Sequence, residues 1–283
     1  MLFAERERET ELTNAVIQND IKKVEELKKD SHHVLEKNSL GFNGVELARF
    51  LDRKECLQIL EPPSKKTFKV KIKNDSKYSI LSQEEFENLF HIKYLRSLKF
   101  ETYQQFKTVV HSCLKAFKQK LEIELLTPEL LKKYENSNEI FSLRGQYYKE
   151  KIYNAYTTPF TLQWINETLG YGLFADHDLK KGDYIGSYCG KIRRSAFWLL
   201  QNNYSIFYPN RGVFTYLIDG EAEGNEMRFI NHSSNPNLVP LAAADRGLVH
   251  CIYLANKKIA KGEQLLWNYG KDFWASREPP QEI

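Results

Sequence analysis

The sequence predicts an α+β protein, a helical amino-terminal half followed by a carboxyl-terminal half of short strands. Three observations predict it. Apolar residues recur at helical spacing through the first sixty or so positions. Aromatic residues at helical intervals continue the pattern to about Tyr134. From about Thr158 the pattern changes to short alternating or apolar runs broken by Gly, Asp-Gly and Asn-Pro turns. The 283 residues suit one large domain or two smaller ones, and 42% hydrophobic content supplies a core beneath a surface fed by 28% charged residues.

In the first segment, residues 1–62, Leu12, Ala15, Val16, Val24 and Leu27 share one helical face pattern, and Val45, Ala48, Leu57 and Leu60 share another. Leu12 superposes on Val45, Ala15 on Ala48, Val24 on Leu57 and Leu27 on Leu60. Each offset is 33 residues (45 − 12, 60 − 27), the period of ankyrin repeats. Gly44 supplies a turn into the second unit. The segment therefore resembles about two degenerate ankyrin repeats, although the family's TPLH signature is absent and a helical hairpin with a coincidental offset is the plainer alternative. Two repeats fall short of the three or so that stand alone, so the unit is expected to dock on its neighbour.

The prolines of "EPPSKK", Glu61–Lys66, mark the first boundary. Residues 63–155 then read as mostly helical. A short strand ends near Ile72, with Phe68, Val70 and Ile72 alternating with Lys69, Lys71 and Lys73. The plain reading of this basic run is a solvated edge strand. Three helices follow: Ser82–Leu98, opened by a capping box of Ser82 with Glu85, then Thr102–Leu121 and Pro128–Tyr134. Core packing accounts for Phe86, Phe90, Tyr94, Phe106 and Phe117 better than a cofactor does.

Residues 156–274 carry the chemistry, and 275–283 form a tail. Four motifs stand in order: "GYGLFA" (170–175), "YIGSYCGKI" (184–192), "YLIDGEAEGNEMRFINHSSNPN" (216–237) and "GEQLLWNYG" (262–270). Gly170 and Gly172 remove side chains where backbone must approach a ligand, although a tight hairpin turn would also use them. No helical pattern follows, so this is not a dinucleotide fingerprint. Asn231 and His232 lie behind the apolar Phe229-Ile230, and buried polar groups of this kind need partners. Read alone, His232 is as well explained by a structural hydrogen bond as by a ligand.

Together these motifs resemble the SET domain of protein-lysine methyltransferases. The resemblance runs from about Thr158 to Trp274 and implies a β-fold of short strands in which the Arg228–Asn237 segment threads beneath another loop as a pseudoknot. It implies S-adenosylmethionine as methyl donor, leaving S-adenosylhomocysteine, with Gly170, Tyr171, Gly172, Leu173, Tyr204, Arg228, Asn231 and His232 holding it. It assigns Tyr269 and Tyr188 to catalysis and Tyr216, Trp267, Phe273 and Trp274 to the lysine channel. With sixteen tyrosines in the chain, only position within the motifs promotes these few.

The implied reaction is an in-line displacement at a sulfonium methyl by a neutral lysine amine. Free lysine titrates near ~10.4, so an apolar channel beside a cation must favour the uncharged amine. Two departures from the family pattern stand out. Ser234 replaces a frequent cysteine and no cysteine follows Cys251, so no zinc is expected. Trp267 occupies a position where relatives carry Phe or Tyr, which bears on how many methyls are accepted.

The expected function is thus lysine methylation of a protein or peptide, a histone tail first among candidates. The alternative is a SET fold acting as a catalytically idle peptide-binding or scaffold module. Repeats joined to a SET domain also resemble effectors of bacteria that live inside eukaryotic cells. A net charge of +4 gives no direct nucleic-acid site. Four scattered cysteines fit a reducing compartment, and no signal peptide or apolar membrane span is seen. The protein is therefore expected to be an intracellular, soluble monomer, nuclear if its substrate is a histone.

Overall fold

The structure, a computed structural model, describes residues 8–62, 65–116, 126–195, 202–209, 215–274 and 277. Two helical hairpins open the chain. The first is α1 (Glu11–Gln18) and α2 (Ile21–Leu27), and after α3 (Ser31–Leu35) the second is α4 (Gly44–Phe50) and α5 (Lys54–Leu60). Local sequence starts each helix: Thr10 with Thr13, and Asn43 with Glu46, form capping boxes that satisfy the free N–H groups of α1 and α4. The starts of α1 and α4, and of α2 and α5, are 33 residues apart (44 − 11, 54 − 21), so the sequence offset is also an offset of whole helices. The two hairpins stack, α1 on α4 and α2 on α5, burying Leu12, Val16, Val24, Leu47, Ala48 and Cys56.

Next come β1 (Thr67–Lys71), β2 (Ser79–Ser82), α6 (Gln83–Phe90), β3 (Lys93–Tyr94), α7 (Tyr103–Ala116), α8 (Pro128–Lys133) and α9 (Ile140–Tyr153). The Ser82–Glu85 capping box is present as expected. The helix it opens stops at Phe90, not Leu98. His91 takes a left-handed conformation (φ 51°), and Lys93–Tyr94 pair with a strand instead. The helix expected over Thr102–Leu121 is seen from Tyr103 to Ala116, and its last stretch, with Phe117, lies outside the described residues, as do Pro63 and Ser64.

The remaining elements are β4 (Phe160–Asn166), β5 (Gly170–Ala175), β6 (Tyr184–Ser187), β7 (Gly190–Ser195), β8 (Ser205–Phe207), β9 (Thr215–Gly224), a 3₁₀ turn (Glu226–Phe229), β10 (Asn231–His232), β11 (Leu238–Asp245), β12 (Leu248–Ala255), β13 (Leu266–Trp267) and α10 (Lys271–Trp274). They form small sheets ordered β2-β1-β4-β5, β11-β12-β6 and β3-β9-β7, with β8 also on β9, plus the parallel pair β10-β13.

The basic strand is therefore not an edge. β1 lies between β2 and β4, with Phe68 and Val70 buried. Its flanking lysines are held in pairs: Lys66 with Glu226, Lys69 with Asp176 and Lys73 with Glu167. One continuous core joins the helical hairpins to the strands: Phe42, Phe50, Phe100 and Phe106 pack ring on ring beside it. Among the described residues no helix is long and apolar enough to cross a membrane. All four cysteines are free and buried.

Candidate active site

The site forms where β10 and β13 run side by side. Asn231 pairs with Leu266 and His232 with Trp267. Asn237 secures the arrangement: its Oδ1 accepts from Leu266 N at 2.8 Å, and its Nδ2 donates to Gln264 O at 2.7 Å. The segments "RFINH" and "LLWNY" are thereby locked together, and Tyr269 emerges directly after β13.

Two cavities adjoin at this point. One, of about 530 Å³, is lined by Thr168, Gly170 and Tyr171 from the double-glycine hairpin, by Tyr204, by Asn231 and His232, and by Trp274. The other, of about 310 Å³, is walled by Tyr188, Ile206, Phe207, Pro240, Leu241 and Trp267. Asn203, Arg228, Tyr269 and Phe273 line both.

Tyr269 stands between the two. Its hydroxyl donates to Ile230 O at 2.8 Å, and its backbone N–H donates to His232 Nδ1 at 3.1 Å. Trp267, Phe273 and Trp274 surround the ring at 5.1, 4.7 and 6.2 Å between centroids. Burial, with Tyr204 nearby, pushes its phenol pKa above the ordinary tyrosine value. It is a neutral hydroxyl at physiological pH, with its proton engaged and its oxygen lone pairs available.

Tyr188 is fixed on the second cavity by four hydrogen bonds on and around it. Its N–H donates to Cys251 O at 2.8 Å. Asn225 bridges the peptides on either side, donating to Ser187 O at 2.7 Å and accepting from Cys189 N at 3.2 Å. The Tyr188 hydroxyl donates to Tyr204 O at 2.6 Å. Burial raises its pKa too, against the lowering influence of Arg228.

Arg228 lies with its guanidinium carbon 3.8 Å from the centre of the Tyr204 ring. Its Nε is buried without a hydrogen-bond partner, and so is the Trp274 Nε1. Both line the larger cavity, so each is a donor that a polar ligand there would satisfy.

The two glycines serve different ends. Gly170 has φ +67° and open space around it, so its backbone conformation demands glycine. At Gly172 a Cβ would sit 2.7 Å from Gln264 Nε2 and 3.1 Å from Asn231 Nδ2. The room it leaves is taken by the protein's own amides, and Asn231 Nδ2 donates to Tyr171 O at 3.2 Å.

Two expected site residues are not brought here. Leu173 is fully buried in the main core, two positions further along β5 than Tyr171, and does not line the larger cavity. Tyr216 is 5% exposed on β9 and packs in the main core. Among the described residues it lines neither cavity. Ile206 and Phe207 of the neighbouring strand β8 stand on the channel instead.

Residues 170–270 match the family model described as "SET domain". This part of the chain is a SET domain. Among its relatives, "Histone-lysine N-methyltransferase trithorax" of Drosophila virilis is 30% identical over 118 residues, 39% of this chain and 3% of that protein. "Putative histone-lysine N-methyltransferase ASHH4" of Arabidopsis thaliana is 34% identical over 109 residues, 36% of this chain and 31% of its own length. "Histone-lysine N-methyltransferase EHMT1" of Homo sapiens is 31% identical over 112 residues, 38% and 9% of the two chains. The chain thus spans less than a third of these relatives. A solved structure described as "Structural basis for the product specificity of histone lysine methyltransferases" aligns with TM-score 0.37 at 21% identity, over 42% of this chain and 53% of that one.

Three further residues, Asn225, Phe90 and Arg277, support the site from positions to which the motifs assign no role. Asn225 stands inside the third motif without an assigned role, and its buried two-way bridge makes it the clamp on Tyr188. Phe90 reaches the larger cavity from α6, 4.9 Å from the Tyr171 ring, from a region read as core. Arg277 donates to Phe273 O and to Asn202 O, tying the residue after α10 to the loop that carries Tyr204.

Proposed function

We propose that the protein is a protein-lysine N-methyltransferase that uses S-adenosylmethionine, with a histone as its first candidate substrate. The observation that carries this reading is the pair of cavities sharing Tyr269, Arg228, Asn203 and Phe273. A donor on one side and an acceptor on the other would meet across one aromatic neck.

The residues fit the donor. A cavity of about 530 Å³ is of the size that takes nucleoside-like ligands. Gly170 opens its mouth, Tyr171 and Trp274 offer ring faces, and Arg228 Nε and Trp274 Nε1 are unsatisfied donors. Asn231 and His232 are held in register by the β10-β13 pair, which also supports reading this segment as a threaded pseudoknot. When bound, the cofactor supplies an electrophilic methyl on a sulfonium.

The chain's own residues do the rest. The apolar walls, including Ile206, Phe207, Leu241 and Trp267, disfavour a charged ammonium and so favour the neutral amine that can attack. The Tyr269 hydroxyl gives its proton to Ile230 O, and its oxygen can accept from the amine and aim its lone pair along the neck. Tyr188, with its proton on Tyr204 O, acts alike from the other wall. Neither tyrosine acts as a base, since both are held neutral. The bulk of Trp267 on the channel argues for a small product state, one methyl rather than three. The stacked hairpins with their 33-residue offset support reading residues 11–60 as degenerate ankyrin-like repeats.

The test is incubation of the purified chain with S-adenosylmethionine labelled in its methyl group and the four core histones. Labelled lysine, located by mass spectrometry, is expected. Cofactor binding without transfer to any histone or peptide of a lysine library would leave only the SET fold.

A further inference from the structure

We infer that Arg246 is a positioning residue for the substrate-side cavity, through which the amino-terminal helices set the place of that cavity's wall. The inference rests on the methyl-transfer reading for its kinetic consequence but not for its mechanical one. Arg246 stands at the turn of the β11–β12 hairpin in a left-handed conformation (φ 48°), followed by Gly247 (φ 76°). The far end of its guanidinium reaches out to the amino-terminal helices. Nη1 donates to Gly41 O at 2.5 Å and to Glu46 Oε2 at 2.9 Å, and Nη2 donates to Glu46 Oε1 at 2.8 Å. Nε donates to Asp245 Oδ2 at 2.8 Å. The plane is held against Phe42 at 4.3 Å and Tyr153 at 4.5 Å. This forked, stacked arrangement is one that lysine cannot reproduce.

The other end of the same hairpin is the cavity wall. Pro240, Leu241 and Ala242 on β11 and Cys251 on β12 line the substrate side. Arg246 lies four positions beyond Ala242, roughly 13 Å of stiff strand. β11 is the outer strand of its sheet, bonded in-plane to β12 alone. α9 covers it so closely that a Cβ on Gly145 would lie 1.9 Å from Ala244 O. A strand braced on one edge and one face is located along its remaining freedom by what holds its tip, where Arg246 with Glu46 at 2.8 Å acts beside the longer Lys149–Asp245 pair at 3.7 Å.

Glu46→Gln is the informative variant, because glutamine keeps the capping bond to Asn43 N while removing the charge. Arg246→Lys and Arg246→Gln complete the set, all in the full chain. Amide hydrogen exchange followed by mass spectrometry is expected to rise about tenfold over residues 238–254 in Arg246→Gln, with β4 and β9 unchanged. With a histone peptide labelled by the wild type, KM for peptide should rise roughly 2- to 30-fold. The Kd for S-adenosylhomocysteine, by calorimetry, should stay within about twofold. Lysine should fall nearer to glutamine than to arginine. Unchanged hairpin exchange overturns the inference. So does exchange or cofactor loss spread over the whole domain, or an unmoved KM beside a loosened hairpin. If the wild type labels no histone, the exchange result still decides the clamp, while the methyl-transfer reading fails separately.

Discussion

The backbone N–H of Tyr269 is bonded to His232 Nδ1 at 3.1 Å, with the two rings 5.3 Å apart. A ring nitrogen that accepts is unprotonated, so this bond selects the tautomer with the proton on Nε2. His232 therefore joins the cofactor-side cavity to the residue that stands at the neck between both cavities. In the proposed reaction its part is alignment.

His232→Ala removes this acceptor and one cavity wall at once. Loss of alignment at a reacting centre lowers rate by about 100-fold. We expect turnover to fall by about that factor, with weakened S-adenosylmethionine binding in calorimetry. A variant that keeps wild-type turnover would detach His232 from the site.

Tyr269→Phe should separate the two effects. Phenylalanine keeps the ring among Trp267, Phe273 and Trp274 but loses the hydroxyl that donates to Ile230 O. Turnover is expected to drop about 100-fold, with cofactor Kd unchanged. Equal loss of cofactor binding would make the hydroxyl a structural group.

Much of this arrangement was legible beforehand, and the reasons for the gaps are physical. The Asn231-His232 and Tyr269 positions could be picked out because motif order fixed them before any geometry was known. Leu173 and Tyr216 line neither cavity because both are buried in the main core, and a motif does not reveal how far along its strand a cavity extends. α9 was not singled out within the mostly helical stretch 63–155; in the fold its Gly145 admits Ala244. The β1 lysines read as exposed because their carboxylate partners are Asp176, Glu167 and Glu226, more than ninety residues away. Arg246 acts through contacts at least as distant in sequence, and Asn225 through partners 36 and 38 residues away.

Gly145 and Gly172 predict opposite outcomes for the same change. At Gly145 the added Cβ meets backbone, Ala244 O at 1.9 Å, and helix and strand must part. Gly145→Ala should destabilise by about 3 kcal/mol, read from urea midpoints, with the cofactor site intact. At Gly172 the clash is with the ends of Gln264 and Ile165, which can move, and with Asn231 Nδ2. Gly172→Ala should leave stability within about 1 kcal/mol of wild type and weaken cofactor binding by displacing Asn231. Reversal of the two would refute this division.

His250 predicts how stability responds to acid. The ring is 4% exposed, its Nε2 has no hydrogen-bond partner, and Tyr153 packs edge-on at 5.6 Å. Burial lowers its pKa from 6.5 to about 4; Asp245 pulls it upward and Arg246 downward. Above pH 6.5 the imidazole is neutral in both folded and unfolded chains and contributes no pH dependence. Between 6.5 and 4 the unfolded chain binds a proton that the folded chain refuses, so acidification favours unfolding, by about 3 kcal/mol over that window. Phenylalanine fills the same apolar position without titrating. Melting temperatures of wild type and His250→Phe, compared at pH 7 and pH 4.5, should show a smaller acid decrement in the variant. Equal decrements would mean that carboxylates elsewhere carry the whole acid response, and that the buried ring finds a proton partner in the folded state.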